Sequence, residues 1–143
     1  MHSLSKSSNL AGYRAGFVTG DPAVVAALLE VRKHAGMMVP RPVQAAMAAA
    51  ASDDAHVVAQ AEVYALRRGA LEGWGLAIEH SEAGLYLWAT AGEPCRTTVR
   101  RLAERGILVA PGEFYGPAGE RHVRVAVTAL DERIDAAVAR LAP

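Results

Sequence analysis

The sequence predicts an α/β fold in which helices cover a small sheet. Three observations carry the prediction. Residues 76 to 141 read β-β-α-β-β-α by apolar period and composition. Glycine or proline punctuates nearly every change of pattern, at Gly73, Gly75, Gly84, Pro94, Gly106 and Gly116. Hydrophobic residues make up 52% of the 143, enough to build a core in a chain the size of one domain.

Taken in order, residues 1 to 14 are polar, serine-rich and glycine-containing, and read as a loop. Gly16 to Gly20 is a short strand bounded by glycines, with no obvious sheet to join. Asp21 and Pro22 then open a helix: Asp21 can accept backbone N–H groups as N-cap, and Pro22 sits where its missing N–H costs nothing. Val24, Val25, Leu28 and Leu29 recur at helical spacing, and Gly36 stops that helix. Met37 to Pro42 is a loop with two prolines, followed by an alanine-rich helix from about Val43 to Ala51. Ser52-Asp53-Asp54 reads as the cap of a longer helix that reaches about Leu71 and ends at Gly73 and Gly75.

The second half changes character. Leu76 to Ile78 is a short strand and Leu85-Tyr86-Leu87-Trp88 a stronger one. Pro94 begins a helix that runs to Arg105 and stops at Gly106. Ile107-Leu108-Val109 reads as a strand, Pro111 to Gly119 as a loop, and His122 to Val127 as an alternating strand. Thr128 and Asp131 can cap a last helix with Ile134, Val138 and Leu141 on one face. The alternation leaves Tyr86 and Trp88 suited to core or interface packing.

Composition narrows the function classes. Fifteen basic and fifteen acidic residues give a formal net charge of zero. That lacks the basic surplus of a nucleic-acid-binding domain or a polybasic membrane anchor. No apolar run approaches the roughly 20 residues needed to span a bilayer. Cys95 is the only cysteine and makes no internal disulfide, which suits a cytoplasmic setting. His2, His34, His56, His80 and His122 are scattered without metal-ligand spacing, so no metal is expected. Lys6 and Lys33 are the only lysines, and Lys33 reads as a helix-surface charge.

The informative stretch runs from Ser3 to Gly16, SLSKSSNLAGYRAG. It offers a lysine flanked by hydroxyls and, eight residues on, an arginine among glycines. Hydroxyl and guanidinium together suit a phosphate. A lysine beside them can form a Schiff base with an aldehyde. On the residues alone, the same string more often marks an ordinary solvated loop.

This string resembles the S-x-S-K-x(7)-R-x-G signature of class I and II aminotransferases, members of fold-type I of the pyridoxal-phosphate enzymes. Ser3, Ser5, Lys6, Arg14 and Gly16 fall on that pattern. The resemblance implies that Lys6 carries pyridoxal 5′-phosphate covalently, that Ser3 and Arg14 hold its phosphate, and that Ser5 belongs to the same site. The likeness continues along the chain. Gly84 to Trp88 looks like the glycine-plus-aromatic strand of the family's small domain. Ala110 to Gly116 resembles its P-G-x-x-F-G loop. His122 to Ala126 looks like the strand whose arginine, here Arg124, binds the substrate α-carboxylate. A narrower likeness, in Ser7 to Arg14 and Val31 to Pro40, is to actinobacterial succinyldiaminopimelate aminotransferases.

The resemblance therefore implies the C-terminal part of such an enzyme. Residues 1–52 would be the end of the large domain, 53–75 a connecting helix, and 76–143 the small α/β domain, with the N-terminal large domain mostly absent. It implies transamination between an amino acid and 2-oxoglutarate or glutamate, N-succinyldiaminopimelate being the expected substrate, in a cytoplasmic homodimer. It also implies that the chain alone is an inactive fragment, because most family contacts to the cofactor precede the lysine. Two alternatives stand beside it: another fold-type I enzyme, such as a carbon–sulfur lyase or an acyl-transferring synthase, and a non-enzymatic remnant.

Overall fold

The computed structural model describes residues 1–36 and 38–141. Met37, at the start of the expected proline loop and within the Val31 to Pro40 likeness, lies outside them. The chain forms two compact units, Met1–Ala59 and from Gln60 onward.

The first unit begins with β1 (His2–Ser3), α1 (Leu4–Ser7), a 3-10 turn (Ala11–Tyr13) and β2 (Gly16–Phe17). The expected loop over residues 1 to 14 is thus structured. Its first residues supply what β2 lacked: β1 and β2 pair antiparallel, His2 opposite Phe17 and Ser3 opposite Gly16. Two-residue strands carry no period, so the ladder was invisible in the sequence. Next come α2 (Pro22–Ala35), α3 (Arg41–Ala51) and the start of α4 (Ala55–Ala70). Asp21 caps α2, accepting from the N–H groups of Ala23 and Val24 at 2.8 and 3.2 Å. The helical spacing of α2 is as expected, yet Val24, Leu28 and Leu29 are exposed.

In the second unit, β3 (Ala77–Glu79), β4 (Tyr86–Thr90), α5 (Cys95–Glu104), β5 (Ala110–Pro111), β6 (Val123–Ala126) and α6 (Asp131–Leu141) follow the expected order. The sheet runs β3-β4-β6-β5 with every pair antiparallel. Side chains alternate across it. Leu87, Ala89, Val123 and Val125 point into a core with Leu71, Trp74, Leu102 and Ile134. Full burial of one such leucine contributes about 1.5–3 kcal/mol. The opposite face carries Tyr86, Trp88 and Arg124, all half-buried.

Three expectations are corrected here. Ile107 to Val109 is not a strand: the Ile107 N–H is spent on Leu102 O at 3.0 Å, Leu108 is 89% exposed, and the ladder begins only at Ala110. Asp131 lies inside α6 and its carboxylate accepts from Arg67 Nε at 2.6 Å. For Tyr86 and Trp88 the core half of the expectation is corrected: Leu87 and Ala89 enter the core instead. Gly106, at φ 72°, makes the left-handed turn that ends α5 where the sequence placed its stop.

Candidate functional site

Two groups of residues matter, one in each unit. In the first, Ser3 is the N-cap of α1, with its Oγ accepting from the Ser5 N–H at 3.3 Å and donating to Ser5 Oγ at 3.0 Å. Lys6 lies in the last turn of α1 and is exposed. After the 3-10 turn, Arg14 adopts the left-handed conformation at φ 50° and donates from Nη1 to Ala11 O at 3.1 Å. Asn9, at φ 52°, is a second non-glycine residue in that region, five positions earlier. Such conformations cost on the order of 1–2 kcal/mol each, so the surrounding fold must impose them. They let the chain leave α1 and return as β2 beside β1.

That return brings Ser3, Ser5, Arg14 and Gly16 to the wall of one cavity of about 630 Å³, completed by apolar residues including Phe17, Val25 and Leu29. No carboxylate lines it among the described residues, although Arg32 does. Two hydroxyls and a guanidinium without a carboxylate beside them suit a phosphate dianion. The apolar wall suits a flat ring. The donor set thus fits pyridoxal phosphate. Lys6 is not among the lining residues, so the structure brings the phosphate candidates Ser3 and Arg14 together with Ser5 and leaves the lysine on the same short helix as Ser5 but outside this wall.

A third feature of this unit had no sequence signal. His56 Nε2 is 3.0 Å from Ser8 Oγ and His56 Nδ1 is 3.2 Å from Asp53 Oδ2. Asp53 also caps α4 through the Ala55 N–H at 2.9 Å. This hydrogen-bonded line ties the end of the lysine segment to the start of α4. The Ala55 N–H, followed by the His56 side chain, holds the Asp53 carboxyl below its ordinary range.

In the second unit, Arg124 stands opposite Trp88 in the β4–β6 ladder. Its Cζ lies 4.1 Å from the ring centroid of Tyr86 and 5.0 Å from that of Tyr115. Its Nε is buried without a hydrogen-bond partner among the described residues. Trp88 stacks on His122 at 5.2 Å and meets Tyr115 edge-on at 5.8 Å. Glu79 Oε2 is 3.0 Å from His122 Nε2. Aromatic side chains thus surround a guanidinium whose buried Nε–H is unspent. The sequence showed alternation around Arg124 but not which residues share its face, because that depends on register.

The loop carrying Tyr115 is held from both ends. A Cβ on Gly112 or Gly119 would collide with the other's carbonyl oxygen, so only glycines permit the approach. Glu113 accepts from Arg96 Nε at 2.6 Å, and this guanidinium holds its carboxyl below the ordinary range.

The first unit thus carries hydroxyls and a guanidinium on one cavity wall, and the second carries Arg124 on a small antiparallel sheet among aromatic rings. The aminotransferase class I and II family matches residues 1–141, and the chain belongs to that family. Members of the family depend on pyridoxal phosphate. The chain is 68% identical to the probable aminotransferase Rv1178 of Mycobacterium tuberculosis, across 99% of this chain and 35% of that protein. It is 66% identical to the 4-dedimethylamino-4-oxo-anhydrotetracycline transaminase OxyQ of Streptomyces rimosus, across 99% of this chain and 40% of that protein. Among solved structures it resembles the probable N-succinyldiaminopimelate aminotransferase of Thermus thermophilus, with a TM-score of 0.82 and 34% identity over 97% of this chain and 39% of the other. The chain thus spans well under half the length of these relatives.

Proposed function

We propose that this chain supplies the attachment lysine, phosphate contacts and carboxylate-binding arginine of a pyridoxal-phosphate-dependent aminotransferase. The observation that carries this is the cavity wall that Ser3, Ser5 and Arg14 share, without a carboxylate among the described residues, with Lys6 on the same helix as Ser5. The cofactor, when bound, supplies the electron sink for carbanion chemistry at the substrate α-carbon. Lys6 would hold it through Nζ and then move the proton at that carbon. The Ser3 and Ser5 hydroxyls and the Arg14 guanidinium would grip the phosphate. Arg124 would orient the substrate by a two-pronged hydrogen bond to its α-carboxylate, so that the scissile bond is presented in one geometry.

N-succinyldiaminopimelate, exchanged with glutamate, is the substrate best supported by the Thermus likeness. A second amino acceptor is favoured by one observation: OxyQ, of nearly the same identity as Rv1178, is named for a tetracycline intermediate. The working enzyme would be a cytoplasmic homodimer. The 143 residues by themselves are expected to bind cofactor weakly and turn over no amino acid, since the family resemblance assigns most ring contacts to residues outside them.

Equilibrium dialysis tests the phosphate site. Arg14→Gln weakens binding of pyridoxal phosphate about tenfold or more, the scale of a lost charge-assisted hydrogen bond. The same variant leaves binding of unphosphorylated pyridoxal unchanged. Equal affinity of the wild-type chain and the variant for pyridoxal phosphate sinks the proposal.

A further inference from the structure

The guanidinium of Arg124 sits against two tyrosine rings from different parts of the second unit. Tyr86 comes from β4, one diagonal step from Arg124 on the same sheet face. Tyr115 comes from the Pro111–Gly119 loop and is 51% exposed. An aromatic face attracts a cation through its quadrupole and leaves the planar fork free to serve a ligand. Arg124 has this combination: two ring contacts, and an Nε buried without an acceptor among the described residues. A carboxylate partner would have fixed the guanidinium as well, but at the cost of the donors that a substrate needs.

The placement of Tyr115 is itself over-determined. The 3-10 turn Gly112–Tyr115 closes with the Gly116 N–H on Glu113 O at 3.2 Å. Gly112 N donates to His122 O at 2.8 Å, which joins the loop to the residue before β6. Glu113 is paired with Arg96 on α5. The ring edge then rests on Trp88, directly across the ladder from Arg124. The loop therefore delivers one aromatic face to one guanidinium.

We infer that Tyr115 and Tyr86 are positioning residues that hold the Arg124 guanidinium in a carboxylate-receiving orientation through their ring faces, and that Tyr115 sets how tightly a carboxylate ligand is held. This rests on the proposed role of Arg124. The contribution comes from the ring, so phenylalanine replaces either tyrosine and an aliphatic residue does not.

The test uses the full 143-residue chain, with glutarate as the carboxylate probe and nitrogen-15 relaxation of the Arg124 Nε–H, assigned through Arg124→Lys. In the ligand-free chain, Tyr115→Leu or Tyr86→Leu lowers the order parameter of that group, and Tyr115→Phe keeps the wild-type value. In titration, Tyr115→Leu raises the dissociation constant about two- to fivefold, the scale of one partly exposed cation–ring contact, and Tyr115→Phe leaves it unchanged. Arg124→Lys removes the glutarate response. If Tyr115→Leu unfolds the chain, Tyr115→Met carries the same expectation. Unchanged order and affinity in the aliphatic variants, with Arg124→Lys still defective, overturn the inference and leave the function standing. A Tyr115→Phe defect equal to that of Tyr115→Leu also overturns it, by assigning the effect to the hydroxyl. A wild-type response to glutarate in Arg124→Lys removes the role of Arg124, and the inference with it.

Discussion

Replacing Leu87 by alanine tests the assignment of sheet faces. Leu87 is 0% exposed, lies on the second strand of β3-β4-β6-β5, and stands opposite Val125 in the ladder. Its neighbour Trp88 is larger but half-buried on the other face, among Tyr115, His122 and Arg124. Removing a fully buried leucine side chain costs about 2–5 kcal/mol, transfer and cavity terms together. For a small unit, each kcal/mol lowers Tm by about 4–8 °C, so Leu87→Ala should lower it by roughly 10 °C or more. Trp88→Ala loses contacts on a partly solvated face and should cost less in stability, but should alter the Arg124 surroundings. Urea unfolding followed by far-ultraviolet circular dichroism measures both. A Trp88→Ala variant less stable than Leu87→Ala would refute the face assignment and the registers behind it.

Further outcomes follow from the same geometry. His56→Ala breaks both hydrogen bonds of the Ser8–His56–Asp53 line and should raise amide hydrogen exchange at the end of α1, with the second unit unaffected; equal exchange in both proteins contradicts the tether. Gly119→Ala should destabilise the Pro111–Gly119 loop by about 1–3 kcal/mol, because its Cβ meets backbone that cannot yield; a neutral effect in thermal unfolding argues against the close approach. Asp53, Glu93 and Glu113 all have carboxyls held below their ordinary range, by the Ala55 N–H, the Thr98 hydroxyl and Arg96 respectively. A lowered folded-state pKa contributes stability above the unfolded value, near 3.8 for Asp and 4.5 for Glu, and loses it as pH falls through the folded value. Tm should therefore stay level in this respect above about pH 5 and fall below about pH 4, and Arg96→Gln should shrink the fall by removing the share of Glu113.

Helix starts and stops were legible because their chemistry is local. Asp21 with Pro22, the Ser52-Asp53-Asp54 cap and Gly106 act within a few residues of themselves, and each bounds its helix. The lysine motif rests on something different: Ser3, Ser5, Lys6 and Arg14 keep the spacing that carries the family resemblance. What escaped was set by pairing between distant segments. The β1–β2 ribbon needed His2 to find Phe17. Tyr86 and Trp88 alternate correctly with Leu87, but period alone does not say which set faces the core. The cross-strand match of Trp88 to Arg124 decides it. Ile107 to Val109 has strand composition, yet the turn that ends α5 consumes the Ile107 N–H first. A cap within Ser52-Asp53-Asp54 was recognisable, whereas the link from Asp53 through His56 to Ser8 spans the length of α2 and α3.

The central claim is that the amine of Lys6 is where the cofactor attaches. Lys6 and Lys33 are the only lysines, so peptide mapping after borohydride reduction with pyridoxal phosphate, read to the single residue to separate the Met1 α-amine, decides which amine takes the group. The expected result is a phosphopyridoxyl group on Lys6, lost in Lys6→Arg and diminished in Arg14→Gln. A label shared equally with Lys33, or one indifferent to Arg14, would contradict it.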